Sequence, residues 1–267
     1  FYLGPLALTV QAVAQDFIDL VIVLPVLVVS GLLAARGSQR GQLIWLGALS
    51  YLVYTFVIYA FGVHFNPLFL VYVATLGCCL WGLIGGMATT DWGKIRMKFA
   101  TNTPVKVVCV LLLVQVVLFY LTWLKEDIPA LLAGTIPASI METGLPTNSV
   151  HVLDMAALLP TIAISALLLW RKRPLGYGLT ALMLTNATFQ GVSIAVIIMF
   201  SLRAGLPASA GLIIIFAVMA VIDLILLASH LSWMKPAVLS NIQQAIEQPS
   251  SSDQSVPEFK ATYRKEN

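Results

Sequence analysis

The sequence predicts an all-α integral membrane protein with about seven transmembrane helices, and three observations carry that prediction. Hydrophobic residues make up 59% of the 267 residues and charged ones only 10%, with a mean hydropathy of +0.92. A soluble domain carries about 25% charged residues, so this chain lacks the polar surface that water requires. Seven apolar stretches, roughly 14–35, 42–63, 67–88, 104–123, 151–170, 176–200 and 208–234, approach the ~20 residues that a helix needs to cross a bilayer. None alternates with a period of two, which points to helices rather than barrel strands.

The first three stretches (14–88) form one unit, joined by short connections. The fourth (104–123) stands alone and leads into the longest connection, 124–150, which contains Pro129, Pro137 and Pro146. Within it, Ile128–Ile136 is apolar enough for a short helix lying in the membrane interface. Three further stretches (151–234) complete a three-one-three plan. From residue 235 onward the composition turns polar. A short amphipathic helix is expected over 237–247 and disorder over 248–267, so 235–267 reads as a cytoplasmic tail. The chain opens on Phe1 rather than Met, which suggests a preceding piece, and residues 1–12 lack the pattern of a signal peptide.

Basic residues orient the spans. Thirteen of the fifteen Lys and Arg, among them Arg36, Arg40, Lys94, Arg96, Lys98, Arg171, Lys172, Arg173 and Lys235, fall on one side, and only Lys125 and Arg203 on the other. The expected topology has the N-terminus outside and the C-terminus in the cytoplasm, in a bacterial inner membrane. Basic loops of this kind report topology and contact with anionic lipid, so the bilayer is the expected partner and nucleic acid is not. The cysteines, Cys78, Cys79 and Cys109, lie in apolar segments without metal-type spacing and read as buried thiols.

An internal repeat gives the sharpest signal. Asp19, Leu24, Pro25, Ser30, Leu32, Leu33 and Arg36 recur 135 residues later as Asp154, Leu159, Pro160, Ser165, Leu167, Leu168 and Arg171, and Gly41 recurs as Gly176. Asp, Pro, Ser and Arg are too uncommon in apolar sequence for composition to align them. Spans one to three and five to seven are separated by four crossings, so the two units share an orientation, as in parallel repeats.

The three-one-three plan resembles that of semi-symmetric sugar-exporting transporters and, more loosely, microbial rhodopsins, although no motif of either is present. The seventh span, 208–234, has no lysine to form a retinal Schiff base. The run Gly144-Leu-Pro-Thr-Asn-Ser-Val-His-Val-Leu-Asp154, with Ala60-Phe-Gly-Val-His-Phe-Asn-Pro-Leu-Phe69, resembles a group of bacterial polytopic membrane proteins without assigned activity. That resemblance implies a fold and lends no functional residue.

Ionisable groups inside spans are functional candidates by default. Asp19 and Asp154 each lie seventeen residues before the arginine that ends the span, roughly 25 Å along a helix. His151 precedes Asp154 by three residues and shares its face, and His64 falls at the same outer end. Imidazole and carboxylate would suit a zinc-like ion, so His64, His151 and Asp154 are the candidate metal ligands. An acid in a first helical turn also offsets the macrodipole and caps free amides. That reading accounts for Asp16 and competes with function at Asp19 and Asp154. Asp223 lies near the bilayer midplane, where no cap or headgroup helps. It must be neutral, bonded to polar groups such as Asn186 and Gln190, or bound to a cation. His230 reads as an interfacial histidine, and Trp123 as one of several tryptophans in an interfacial belt.

No GxSxG, HExxH, Walker loop or paired DxxxD motif occurs, so an enzyme is the weaker class and no cofactor is assigned. The leading expectation is transport of a small solute or ion, with proton or cation coupling, using Asp19, Asp154, His151, His64, Asp223, Asn186 and Gln190. A receptor-like or assembly subunit that binds a ligand at its outer face is the alternative. A metal-dependent membrane enzyme stands third.

Overall fold

The computed structural model describes residues 2, 4–100 and 103–235, so the predicted helix at 237–247 and the polar chain end lie outside the described residues. Among those residues it is nearly all helical, with seven helices long and apolar enough to cross a membrane: Leu6–Ala35, Gln39–Gly62, Phe69–Thr89, Val105–Ala133, Ser149–Trp170, Pro174–Arg203 and Ala210–Ser232. These mark an integral membrane protein.

The first span runs as α1 (Leu6–Ile18), a π-helical turn (Asp19–Val23) and α2 (Leu24–Ala35). It starts well before residue 14, running unbroken through Gln11, while Gln15 and Asp16 bond other side chains of the protein. The second and third spans are α3 (Gln39–Gly62) and α4 (Phe69–Thr89), followed by the short α5 (Trp92–Lys98) capped by the Asp91 carboxylate on Lys94 N–H at 3.0 Å. The fourth span, α6 (Val105–Ala133), continues through Pro129 to a left-handed Gly134, so residues 128–133 end this helix and no separate helix forms over Ile128–Ile136. After α7 (Ala138–Thr143), the fifth span comprises α8 (Ser149–Leu153), a second π turn (Asp154–Leu158) and α9 (Leu159–Trp170). The last two are α10 (Pro174–Arg203) and α11 (Ala210–Ser232).

The 135-residue spacing extends from residue types into backbone geometry. The π turns begin at Asp19 and Asp154, and each places a proline at the second position of the helix that follows. Leu24 N–H bonds Asp19 O, and Leu159 N–H bonds Asp154 O, five residues back. The next amide in each series is missing, because Pro25 and Pro160 carry no N–H. Around Pro160 the carbonyl so freed, that of Met155, accepts the Tyr120 hydroxyl at 2.8 Å. The same helices end alike. Gly37 (φ +83°) and Lys172 (φ +53°) turn left-handed, and paired amide bonds run from Gly37 to Ala34 and Ser38 to Leu33, then from Lys172 to Leu169 and Arg173 to Leu168. Ser30 and Ser165 are both buried and bond the carbonyl three residues back.

Burial ranks the helices. Inside the protein lies 56% of the sixth span's apolar window and 50% of the second's, against 11% of the third's. The central pair, α3 and α10, therefore pack on each other, with Gly47 held against Leu182 O and the Thr185 side chain. α2 packs on α3, α9 packs on α10 and on α6, and α4 and α11 flank the pair. Their outward residues, such as Leu20, Leu70 and Ile214, are exposed apolar side chains suited to lipid. At the basic end, Lys235 N–H bonds the carbonyl of Lys98, the last residue of α5, and the Arg40 guanidinium on α3 donates to Met234 O, tying the chain just after α11 to α5 and α3. His230 is buried here beside the contacting rings of Phe99 and Tyr177, with Nε2 2.9 Å from Tyr177 O, so it is a core residue at this end of the bundle.

Candidate functional site

A cavity of about 170 Å³ opens between the central helices, lined from α1, α3, α6, the second π turn, α9, α10 and α11. Its polar lining includes Gln11, Gln15, Tyr54, Gln115 and Gln190, and its only charged residues are Asp154 and Asp223. Both acids are buried, at 6% and 2% exposure.

Asp154 is held by neutral donors from two other helices. The Tyr54 hydroxyl on α3 donates to Oδ1 at 2.9 Å, and the Trp123 indole N–H on α6 donates to Oδ2 at 2.9 Å. Asp154 lies inside a continuous helical span, and the cap of that span is Asn148, whose Oδ1 accepts from Val150 and His151 N–H. The capping account therefore fails at Asp154. It fails equally at Asp16 and Asp19, because α1 has no acid in its first turn. Asp16 instead accepts hydroxyls from Tyr59 and Tyr2.

Asp223 accepts from Gln115 Nε2 at 2.7 Å, so its partner is the fourth span and not Asn186 or Gln190. Its second oxygen makes no hydrogen bond among the described residues. Asn186 donates to Ser50 Oγ at 2.9 Å and leaves its own Oδ1 buried without a partner. Gln190 lines the cavity, and its Nε2 is also buried without a partner. Asp19 stands one side chain behind the cavity wall. Gln15 Nε2 donates to it at 3.0 Å and also reaches the Tyr51 hydroxyl, which bonds Ser193 on α10. The two aspartates that match at the 135-residue spacing are thus placed differently, one facing the cavity and one screened from it.

The histidines do not join this site as a metal centre. His151 is buried under the Trp123 ring, with centroids 4.4 Å apart, and its Nδ1 lies 3.0 and 3.1 Å from the two oxygens of Asp127. Glu126 approaches Nε2 at 3.9 Å. Asp127 and His151 border a second hollow of about 240 Å³ near Asn148 and Thr135. His64 is exposed in the connection between α3 and α4, beneath Gly4. Among the described residues no group of three His, Cys, Asp or Glu converges as a metal site.

Trp123 and Gln115 are the residues that sequence reading misplaced or underweighted. Trp123 resembled a belt residue because the fourth span seemed to end there, whereas ten further helical residues carry α6 past it. Gln115 and Trp123 stand eight residues apart on α6, roughly 12 Å along its axis, and bond Asp223 and Asp154 respectively. Compared with protein-family models, curated proteins and solved structures, the chain matches none.

Proposed function

We propose that this chain is a transporter of a small solute or ion, coupled to protons or cations, whose pathway runs between two related three-helix units. One observation carries the reading: the cavity lies between helices of both units and is lined by two buried carboxylates that, among the described residues, no lysine or arginine partners. A group of this kind at membrane depth can take up and release a proton or cation as its surroundings open and close. The common π turns, proline positions and left-handed ends at a spacing of 135 residues support a duplication in parallel orientation. π turns followed by proline are natural bending points. Both lie beside the cavity, where rocking of one unit against the other needs a hinge. The thirteen-to-two distribution of basic residues supports an outer N-terminus and a cytoplasmic C-terminus in a bacterial plasma membrane.

The test uses the purified chain in sealed vesicles with a pH-sensitive dye inside, and a panel of neutral, anionic and cationic solutes added outside. Solute-driven proton movement is expected for one class. Asp223→Asn keeps the shape of the side chain without its charge, and should retain helicity while losing that movement. Undiminished movement in Asp223→Asn would remove coupling at this residue. A wild-type protein that binds a solute but moves none would favour the receptor alternative.

A further inference from the structure

The cavity also carries information on what it holds, and this inference deepens the transport reading on which it rests. We infer that the cavity binds a small organic cation, a protonated amine, whose charged head sits on the free oxygen of Asp223 and whose apolar body lies along Phe119 and Phe216.

Charge excludes one class of ligand. The lining carries two carboxylates and, among the described residues, no Lys, Arg or His, so no group there offsets the charge of an anion in surroundings that screen charge poorly. Geometry disfavours another. A metal cation needs several oxygen ligands converging at about 2–2.6 Å. Here each carboxylate is already held by amide, hydroxyl or indole donors, and no group of three His, Cys, Asp or Glu converges among the described residues. A neutral polyol would need many unoccupied polar groups. Tyr54, Gln15 and Gln115 already bond within the protein, and most remaining lining is aliphatic or aromatic.

An ammonium group needs only one carboxylate and gains from a nearby aromatic face. Asp223 is 2% exposed and leaves one oxygen without a hydrogen bond, in a wall of the cavity. Phe119 follows Gln115 by one turn of α6, and Phe216 precedes Asp223 by two turns of α11. Their ring centroids are 6.3 Å apart, so the aromatic pair stands between the level of Asp223 and that of Asp154. His151, three residues before Asp154, lies outside the cavity lining, its ring paired with Asp127 and stacked near Trp123. The lining is thus complementary to a positive head and an apolar body.

Calorimetry on the full chain in lipid nanodiscs, with empty nanodiscs as the blank, tests this directly. Butylammonium, phenethylammonium and 1,5-diaminopentane are each compared with the corresponding alcohol: 1-butanol, 2-phenylethanol and 1,5-pentanediol. At least one ammonium should bind about tenfold or more tightly than its alcohol, and Asp223→Asn should abolish that preference. The wild-type comparison stands even where the variant fails to fold. Equal binding within every pair, or a preference for the alcohols, overturns the inference. The transport reading fails separately: an ammonium that binds in nanodiscs but is not moved in vesicles keeps this site and removes transport, whereas movement of a neutral solute without ammonium binding does the reverse.

Discussion

Gly176→Ala isolates the contact that joins α9 to α10, and its cost follows from the backbone alone. A Cβ at Gly176 would collide with Leu169 N and Leu168 C and stand 2.8 Å from Leu168 O. Carbon and oxygen in ordinary contact are separated by more than 3.3 Å. The obstruction is main chain, which has no rotamer to yield, so the first turn of α10 must move away from the end of α9. Forcing one methyl into a packed site of this kind costs about 1–3 kcal/mol. Alanine returns about 1 kcal/mol of that through helix propensity, for a net loss of about 0–2 kcal/mol. Gly77 on α4 is the control, because a Cβ there meets nothing within 4 Å. Gly77→Ala should therefore be neutral or stabilising by up to about 1 kcal/mol. Unfolding of both variants in mixed micelles, titrated with a denaturing detergent and followed by circular dichroism, should separate them by about 2 kcal/mol. Gly41, where a Cβ would meet Leu33 Cβ at 2.6 Å and Ser30 O at 3.0 Å, should behave like Gly176 and not like Gly77. Equal stability of Gly176→Ala and Gly77→Ala would refute the reasoning, and with it the close approach that recurs at the 135-residue spacing.

Lys172 adopts a left-handed backbone at φ +53° where its counterpart is Gly37; Lys172→Gly should stabilise by up to about 1 kcal/mol and Gly37→Ala should destabilise by about 1–2 kcal/mol, read by the same titration. Trp123→Phe removes a donor from Asp154 while keeping a ring over His151, and should cost roughly 0.6–1.7 kcal/mol, the range of interhelical hydrogen bonds in lipid; an unchanged midpoint would mean that the indole bond contributes nothing. The amide and ammonium groups of Lys94 hold the exposed Asp91 carboxyl below the usual carboxylate range. A depressed folded-state value stabilises above the unfolded value of about 3.9, so the cap on α5 should weaken as pH falls through and below that value. Asp91→Asn should show less acid weakening of α5, measured by amide exchange in the 92–98 segment. For orientation, a lone cysteine at Thr135 should react with a membrane-impermeant maleimide on intact cells and one at Ser38 should not, and the opposite labelling would invert the topology.

Composition and hydropathy sufficed to locate the seven spans, because leaving apolar side chains in water costs energy regardless of what they later touch. Matched residues in sequence likewise revealed the 135-residue spacing, since Asp19, Pro25 and Arg36 act on their own helix through local bonds: a π turn, a missing amide and a helix end. Errors gathered where a polar residue inside a span depends on a distant partner. The first span reads as starting near residue 14, yet the helix begins at Leu6: Gln11 lines the cavity, and Gln15 and Asp16 are satisfied by Asp19, Tyr51, Tyr59 and Tyr2. Lys125, Glu126 and Asp127 made the fourth span look finished at Trp123, whereas Asp127 completes its bonding on His151, 24 residues away in sequence. The bonds from Gln115 to Asp223 and from Tyr54 to Asp154 join residues 108 and 100 positions apart. No periodicity encodes them.

The sequence by itself determined that this chain lives in a bilayer, where its helices begin and end to within about a turn for most spans, and which aspartates are costly to bury. Only the tertiary structure decided which of those aspartates faces the cavity. Asp19 and Asp154 occupy matching positions in matching helices, but α6 packs beside α9 and brings Trp123 to Asp154, while Gln15 on its own helix screens Asp19. Hydropathy is a property of one segment, summed along the chain. The environment of a buried carboxylate depends on the rotation and neighbours of several helices at once, and those are fixed only when the helices pack.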